Sequence, residues 1–94
     1  MSEAKSALRD DATAGRFEMT EEGATVFADY RRIPGRLIID HVEAPAALRG
    51  TGAAGRLMEA IAALARREEV GITPLCGYAT AWLNRHPDFA DLAR

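Results

Sequence analysis

Leu48-Arg49-Gly50-Thr51-Gly52-Ala53-Ala54-Gly55-Arg56-Leu57 runs from the end of a hydrophobic strand into a helix, and its small residues govern how the chain on either side is read. Glycines let the backbone turn tightly and come close to a ligand, so that free N–H groups of a first helical turn can point at phosphate oxygens. The amides from Gly50 through Thr51, Gly52, Ala53 and Ala54 to Gly55, with Arg49 and Arg56 at either end, have the make-up of an anion cradle. A turn of this kind also joins strand to helix with no ligand, so the loop alone leaves both readings open. A Walker-type nucleotide loop is disfavoured, because no Lys-Ser/Thr pair follows the glycines.

Upstream, the strand Arg36–Glu43 carries Leu37-Ile38-Ile39 at its centre, which predicts cover on both faces. Ala44-Pro45 stops its pairing, since proline has no N–H for a ladder. His41 and Glu43, two apart, share one face of this strand, with Asp40 expected on the other. Earlier still, Arg16-Phe17-Glu18-Met19-Thr20 alternates polar and apolar, and Glu22-Gly23 marks a turn. Ala24, Val26, Ala28 and Tyr30 then line one face of a second strand and Thr25, Phe27 and Asp29 the other, before a turn at Ile33-Pro34-Gly35. Downstream, Leu57, Met58, Ile61, Leu64 and Ala65 recur at helical spacing over about four to five turns, with Gly71 as the expected stop. Residues 70–76 read as a short buried strand, and residues 78–86 as a second helix ended by Pro87.

These elements predict a mixed α/β (α+β) fold. An antiparallel meander of three strands is followed by a strand–helix–strand crossover, which sets the last strand parallel to the third, and by a C-terminal helix. Residues 1–14, polar and alanine-rich without a clear period, read as a flexible arm, and 15–94 as one domain. A chain of 94 residues has room for a single core, so a ligand site must be built into it.

Composition narrows the function. With 48% hydrophobic and 28% charged residues the chain is of ordinary globular make-up. A net charge of −2 without a dense basic run argues against a nucleic-acid partner, whose affinity comes from clustered cations. Of the 12 basic residues only Lys5 is lysine; arginine forks suit phosphate and carboxylate, though base composition can produce the same bias. The single cysteine, Cys76, excludes an internal disulfide and a multi-cysteine zinc site, and no metal is expected. No stretch resembles a signal peptide or is long enough to span a bilayer, so the expectation is a cytoplasmic protein without a membrane partner.

The glycine loop, with its strand and helix, resembles the Q/R-x-x-G-x-G/A signature of the GNAT N-acetyltransferase superfamily, carried here by Arg49-Gly50-Thr51-Gly52-Ala53-Ala54. His41-Val42-Glu43-Ala44-Pro45 resembles the H-T-E-V-P segment of the minimal stand-alone GNAT-like proteins. Pro74-Leu75-Cys76-Gly77-Tyr78 and Arg85-His86-Pro87 resemble their P-x-C-x-Y and R-H-P elements. Together these cover about residues 15 to 92. Val42 and Ala44 replace the threonine and valine of the first segment, and Gly77 stands where a serine or larger residue is common; both departures fall on the acceptor side.

This resemblance implies an N-acetyltransferase using acetyl-CoA as cosubstrate. The loop would bind the pyrophosphate, and the pantetheine arm would lie along the strand that contains Val42, where it diverges from the next parallel strand. The thioester would then sit near Cys76, whose place at a helix start favours a thiolate and makes an acetyl-cysteine intermediate chemically possible. Buried cysteines also serve as small hydrophobes. His41 or Glu43 could take the acceptor's proton, or be a solvated strand end. Tyr78 falls roughly where many members place the tyrosine that protonates the departing thiolate, yet it shares a helix face with Ala81, Trp82 and Arg85, which suits packing equally. His86 is read as favourably placed at a helix end. The acceptor, an amine or a protein, and the oligomeric state are not readable, and a non-catalytic acyl-CoA-binding or interaction module remains the alternative class.

Overall fold

The computed structural model describes residues 7–93, in the order β1 (Arg9–Asp11), β2 (Arg16–Glu21), β3 (Ala24–Ile33), β4 (Arg36–Glu43), α1 (Ala53–Glu68), β5 (Gly71–Pro74) and α2 (Gly77–Asn84). The strands form one sheet in sequence order, antiparallel except for the parallel pair of β4 and β5. The expected meander and crossover are therefore both present. Two short 3-10 turns, Ala46–Leu48 and Pro87–Leu92, flank the helical half.

The alternation in β2 and β3 sends Phe17, Met19, Val26, Ala28 and Tyr30 to one face, where Leu37 and Ile39 of β4 and Ile72 of β5 join them. Against that face α1 buries Ala53, Leu57, Met58, Ile61, Ala62 and Ala65, while α2 adds Ala79, Trp82 and Leu83 to the same core. The apolar stripe of α1 is thus its sheet-facing side, as a period near 3.6 requires.

Four expectations are corrected. Residues 9–11, within the stretch read as an arm, form the edge strand β1 opposite Arg16, Phe17 and Glu18; residues 1–6 lie outside the described part. β4 is not sealed on both faces: Leu37 and Ile39 are buried but Ile38 is only half-buried. The stop of α1 is not Gly71, which opens β5. Instead Glu69 takes the left-handed conformation at φ 59°, and the Val70 N–H donates to the Ala65 carbonyl.

The fourth correction bears on the site. The register between β3 and β4 passes from Tyr30 opposite Ile39 to Asp29 opposite His41, so Asp40 is the extra residue of a β-bulge. Strict alternation from Leu37 and Ile39 would put His41 and Glu43 on the helix side and Asp40 opposite them. The bulge instead brings His41 onto the outer face with Asp40, where Arg31 donates to both carboxylate oxygens of Asp40 at 2.8 and 2.7 Å and holds the carboxyl below its usual range. The same bulge sends Val42, paired with Ala28, towards the helices and leaves His41 and Glu43 on the outer face.

Candidate functional site

Beyond the bulge, β4 outlives its neighbour. Its pairing with β5 runs from Arg36 opposite Gly71 to Ile39 opposite Pro74, and a last bond joins the Leu75 N–H to the Ile39 carbonyl at 2.9 Å. After Leu75 the chain turns away, and by Gly77 it has entered α2. Residues 40–43 of β4 therefore run on without a β5 partner, and the two parallel strands part.

A cavity of about 400 Å³ opens at this parting. The end of β4 contributes Val42 and Glu43; the connection to α1 contributes Ala44, Leu48, Arg49, Gly50 and Gly52; α1 itself contributes Ala53 and Ala54; and Tyr78 reaches in from α2. Ala44 and Leu48 are not among the binding residues expected from the sequence, because a lining role depends on what faces them.

The start of α1 is built on glycine turns rather than on a side chain at its N-cap. Gly50 and Gly52 have φ of 79° and 88°, conformations that residues with a Cβ rarely adopt, and Gly52 is the helix N-cap with no side-chain cap. Thr51 secures the loop locally: its hydroxyl donates to the Leu48 carbonyl at 2.6 Å and accepts from the Ala53 N–H at 3.3 Å. No acidic residue stands in the first turn. Helices commonly place one there, where it offsets the positive end of the dipole. Here that end faces the cavity uncompensated by its own helix.

The remaining candidates fall around this centre. Gly55 is half-buried and does not line the cavity; a Cβ there would stand 3.6 Å from Trp82 Nε1 and from the Tyr78 hydroxyl, an ordinary contact distance, so α2 packs close to this turn of α1. Arg49 donates through Nε to the Ala44 carbonyl at 3.2 Å. Arg56 turns to β2, where its Nε and Nη2 donate to the two oxygens of Glu21 at 2.8 and 2.7 Å. Glu21 went unnoticed in the sequence, because nothing local links it to a residue so far along the chain.

Glu43 lines the cavity and its Oε1 lies 2.9 Å from His41 Nε2. The two therefore act as one hydrogen-bonded pair at the edge between the cavity and the outer face, where Phe27 lies across from Glu43 and packs its ring near that of His41. Cys76 is half-buried and does not line the cavity; its Sγ accepts the Ala79 N–H at 3.3 Å as the N-cap of α2. Tyr78 is 38% exposed, whereas Trp82 is 3% exposed and stacks on His86 at 3.8 Å, so Trp82 is a core residue. The Nδ1–H of His86 donates to the Trp82 carbonyl at 2.7 Å, fastening the end of α2. Among the described residues no group of three His, Cys, Asp or Glu side chains could hold a metal ion. None of the helices there is long and apolar enough to cross a membrane.

A parallel pair of strands thus parts beside a glycine-turned helix start, and comparison with known proteins gives this arrangement a family. The family of GCN5-related N-acetyl-transferases matches over residues 16–92, and the chain belongs to that family. Its fold is similar to the NMR solution structure of a "GCN5-like putative N-acetyltransferase" from Staphylococcus aureus, with a TM-score of 0.72 at 22% identity, covering 94% of this chain and 87% of that one. No curated protein matches. The family transfers acetyl groups from acetyl-CoA, so an N-acetyltransferase is the class of protein that this fold defines.

Proposed function

We propose that the chain binds acetyl-CoA with its diphosphate on the first-turn amides of α1 and its pantetheine arm along residues 40–43 of β4, and transfers the acetyl group to an amine. The observation that carries this reading is the helix start itself. It has a left-handed Gly52 at the N-cap, no side-chain cap and no first-turn carboxylate, and it opens on a cavity of about 400 Å³. Such an end favours an anion through both its free N–H groups and its dipole. Gly50, Gly52, Ala53 and Ala54 allow close approach; Thr51 holds the turn; Arg49 and Arg56 supply charge nearby.

Direct transfer suits the geometry best. The acceptor nitrogen attacks the thioester carbonyl, the tetrahedral intermediate expels the coenzyme thiolate, and the ammonium proton passes to the His41–Glu43 pair. Glu43 is the member that lines the cavity. The hydroxyl of Tyr78, on the opposite wall, protonates the thiolate. A second route through Cys76 is favoured by one observation, the Ala79 N–H donated to its sulfur, which holds the sulfur at the start of α2. In that route the sulfur takes the acetyl group, coenzyme A leaves, and the amine then attacks acetyl-Cys76. Incubation with labelled acetyl-CoA and intact mass measurement separates the two: a stable acetyl adduct lost in Cys76→Ala supports the covalent route.

Calorimetry with acetyl-CoA tests the binding reading. Wild type is expected to bind and Gly52→Asp to lose binding, because the substitution puts a negative charge and a strained residue where the diphosphate lies. Equal binding by both would refute the diphosphate assignment. Binding without release of free coenzyme A in the presence of any amine would instead identify a non-catalytic module.

A further inference from the structure

The bidentate pair of Glu21 and Arg56 joins the end of β2 to the first turns of α1, across 35 residues of sequence. It uses the Nε and Nη2 edge of the guanidinium. Nη1 is left over, and it stands above the loop: a Cβ built on Gly52 would lie 3.0 Å from it. The Glu21 side chain is only 18% exposed and that of Arg56 47%, so the carboxylate is the anchored partner and the guanidinium the presented one. The hydrogen bonds from Arg56 also hold the Glu21 carboxyl below its usual range.

We infer that Glu21 is a positioning residue for coenzyme binding: it fixes Arg56 so that Nη1 faces the Gly52 turn, and the diphosphate is held between that nitrogen and the first-turn amides of α1. The inference rests on the coenzyme reading given above. Its physical basis is preorganisation. A free arginine on a helix surface loses much rotamer freedom when it binds a phosphate, whereas one already forked to a carboxylate has little left to lose. Because the pair is nearly neutral, its effect is directional and short-range. The opposite role is physically distinct and testable: if Glu21 competed with the phosphate for Arg56, removing it would tighten binding.

The test is the dissociation constant of coenzyme A for wild type, Glu21→Ala, Arg56→Ala and the double variant, with pantetheine, which lacks the diphosphate, as the second ligand. Arg56→Ala is expected to weaken coenzyme A roughly tenfold, the scale of one lost charge-assisted hydrogen bond. Glu21→Ala should weaken it severalfold, leave pantetheine unchanged, and add nothing in the Arg56→Ala background. Glu21→Gln, which keeps the side-chain volume, should change affinity in the same direction and guards against a folding defect. Unchanged or tighter coenzyme binding by Glu21→Ala, equal loss for both ligands, or full additivity with Arg56→Ala would each overturn the inference while leaving the coenzyme reading in place. Failure of wild type to bind coenzyme A would overturn both.

Discussion

Glu69 shows how a single residue can carry strain that its chemistry does not suit. It caps α1 at φ 59°, a conformation that costs an L-residue about 1–2 kcal/mol and glycine almost nothing. Glycine loses more freedom on folding, so the net gain from Glu69→Gly is smaller. We expect stabilisation by about 0.5–1 kcal/mol and a rise in Tm of several degrees, measured by thermal unfolding. An unchanged or lower Tm would mean that the Glu69 side chain contributes more than the backbone loses. Gly52 is the reverse case, where the required conformation and the residue agree and the sequence already marked the position. The left-handed Glu69 was not legible, since glutamate is an ordinary helix former and the nearest glycine, Gly71, drew the boundary two residues too far.

Among elements, α1 does most to tie the site to the core. Its first turn forms one wall of the cavity while Leu57, Met58 and Ile61, a turn or so further on, are fully buried against the sheet. Truncation of Ile61 to alanine is expected to cost about 2–5 kcal/mol, the range for large-to-small changes in a close-packed core. In denaturant titration the midpoint should fall with little change in slope. A loss below 1 kcal/mol would show that the core collapses readily around the gap. β4 shows the limit of pattern reading: its boundaries and apolar centre follow from the sequence, but the bulge at Asp40 does not. Alternation assumes one residue per pleat, and the extra residue is set by how β3 and β4 pair across the sheet. The pairing of His41 with Glu43 on one face was legible; the position of that face, away from the helices, was decided by the bulge.

At the scale of the whole molecule, ion pairs between distant segments set the response to pH. Glu21 and Asp40 both have carboxyls lowered by hydrogen bonds from arginines, Arg56 and Arg31. A carboxylate whose folded pKa lies below its unfolded value stabilises the fold above the unfolded value, and that contribution is lost as pH falls through the folded one. Stability from these two pairs should thus be constant near neutrality and decline below about pH 4. In the double variant Glu21→Gln, Asp40→Asn the acid-side decline should be shallower, with lower stability at pH 7. Parallel acid limbs for the two proteins in urea titrations at several pH values would show that other carboxylates control acid unfolding. Both pairs are at least partly solvated, so their effect is modest and weakened by salt.

The sequence by itself determined the elements, their order and the chemistry of the glycine loop, because periodicity, turn residues and missing side chains are local properties. It also brought the candidate residues of β4, the loop and α2 into view through their resemblance to a family. Only the tertiary structure decided how these meet. The parting of β4 from β5 at Pro74, the cavity shared by Glu43 and Tyr78, the separation of Cys76 from that lining and the hold of Glu21 on Arg56 all depend on contacts between segments far apart in the chain. Such contacts are fixed by packing and strand register, which no local pattern encodes.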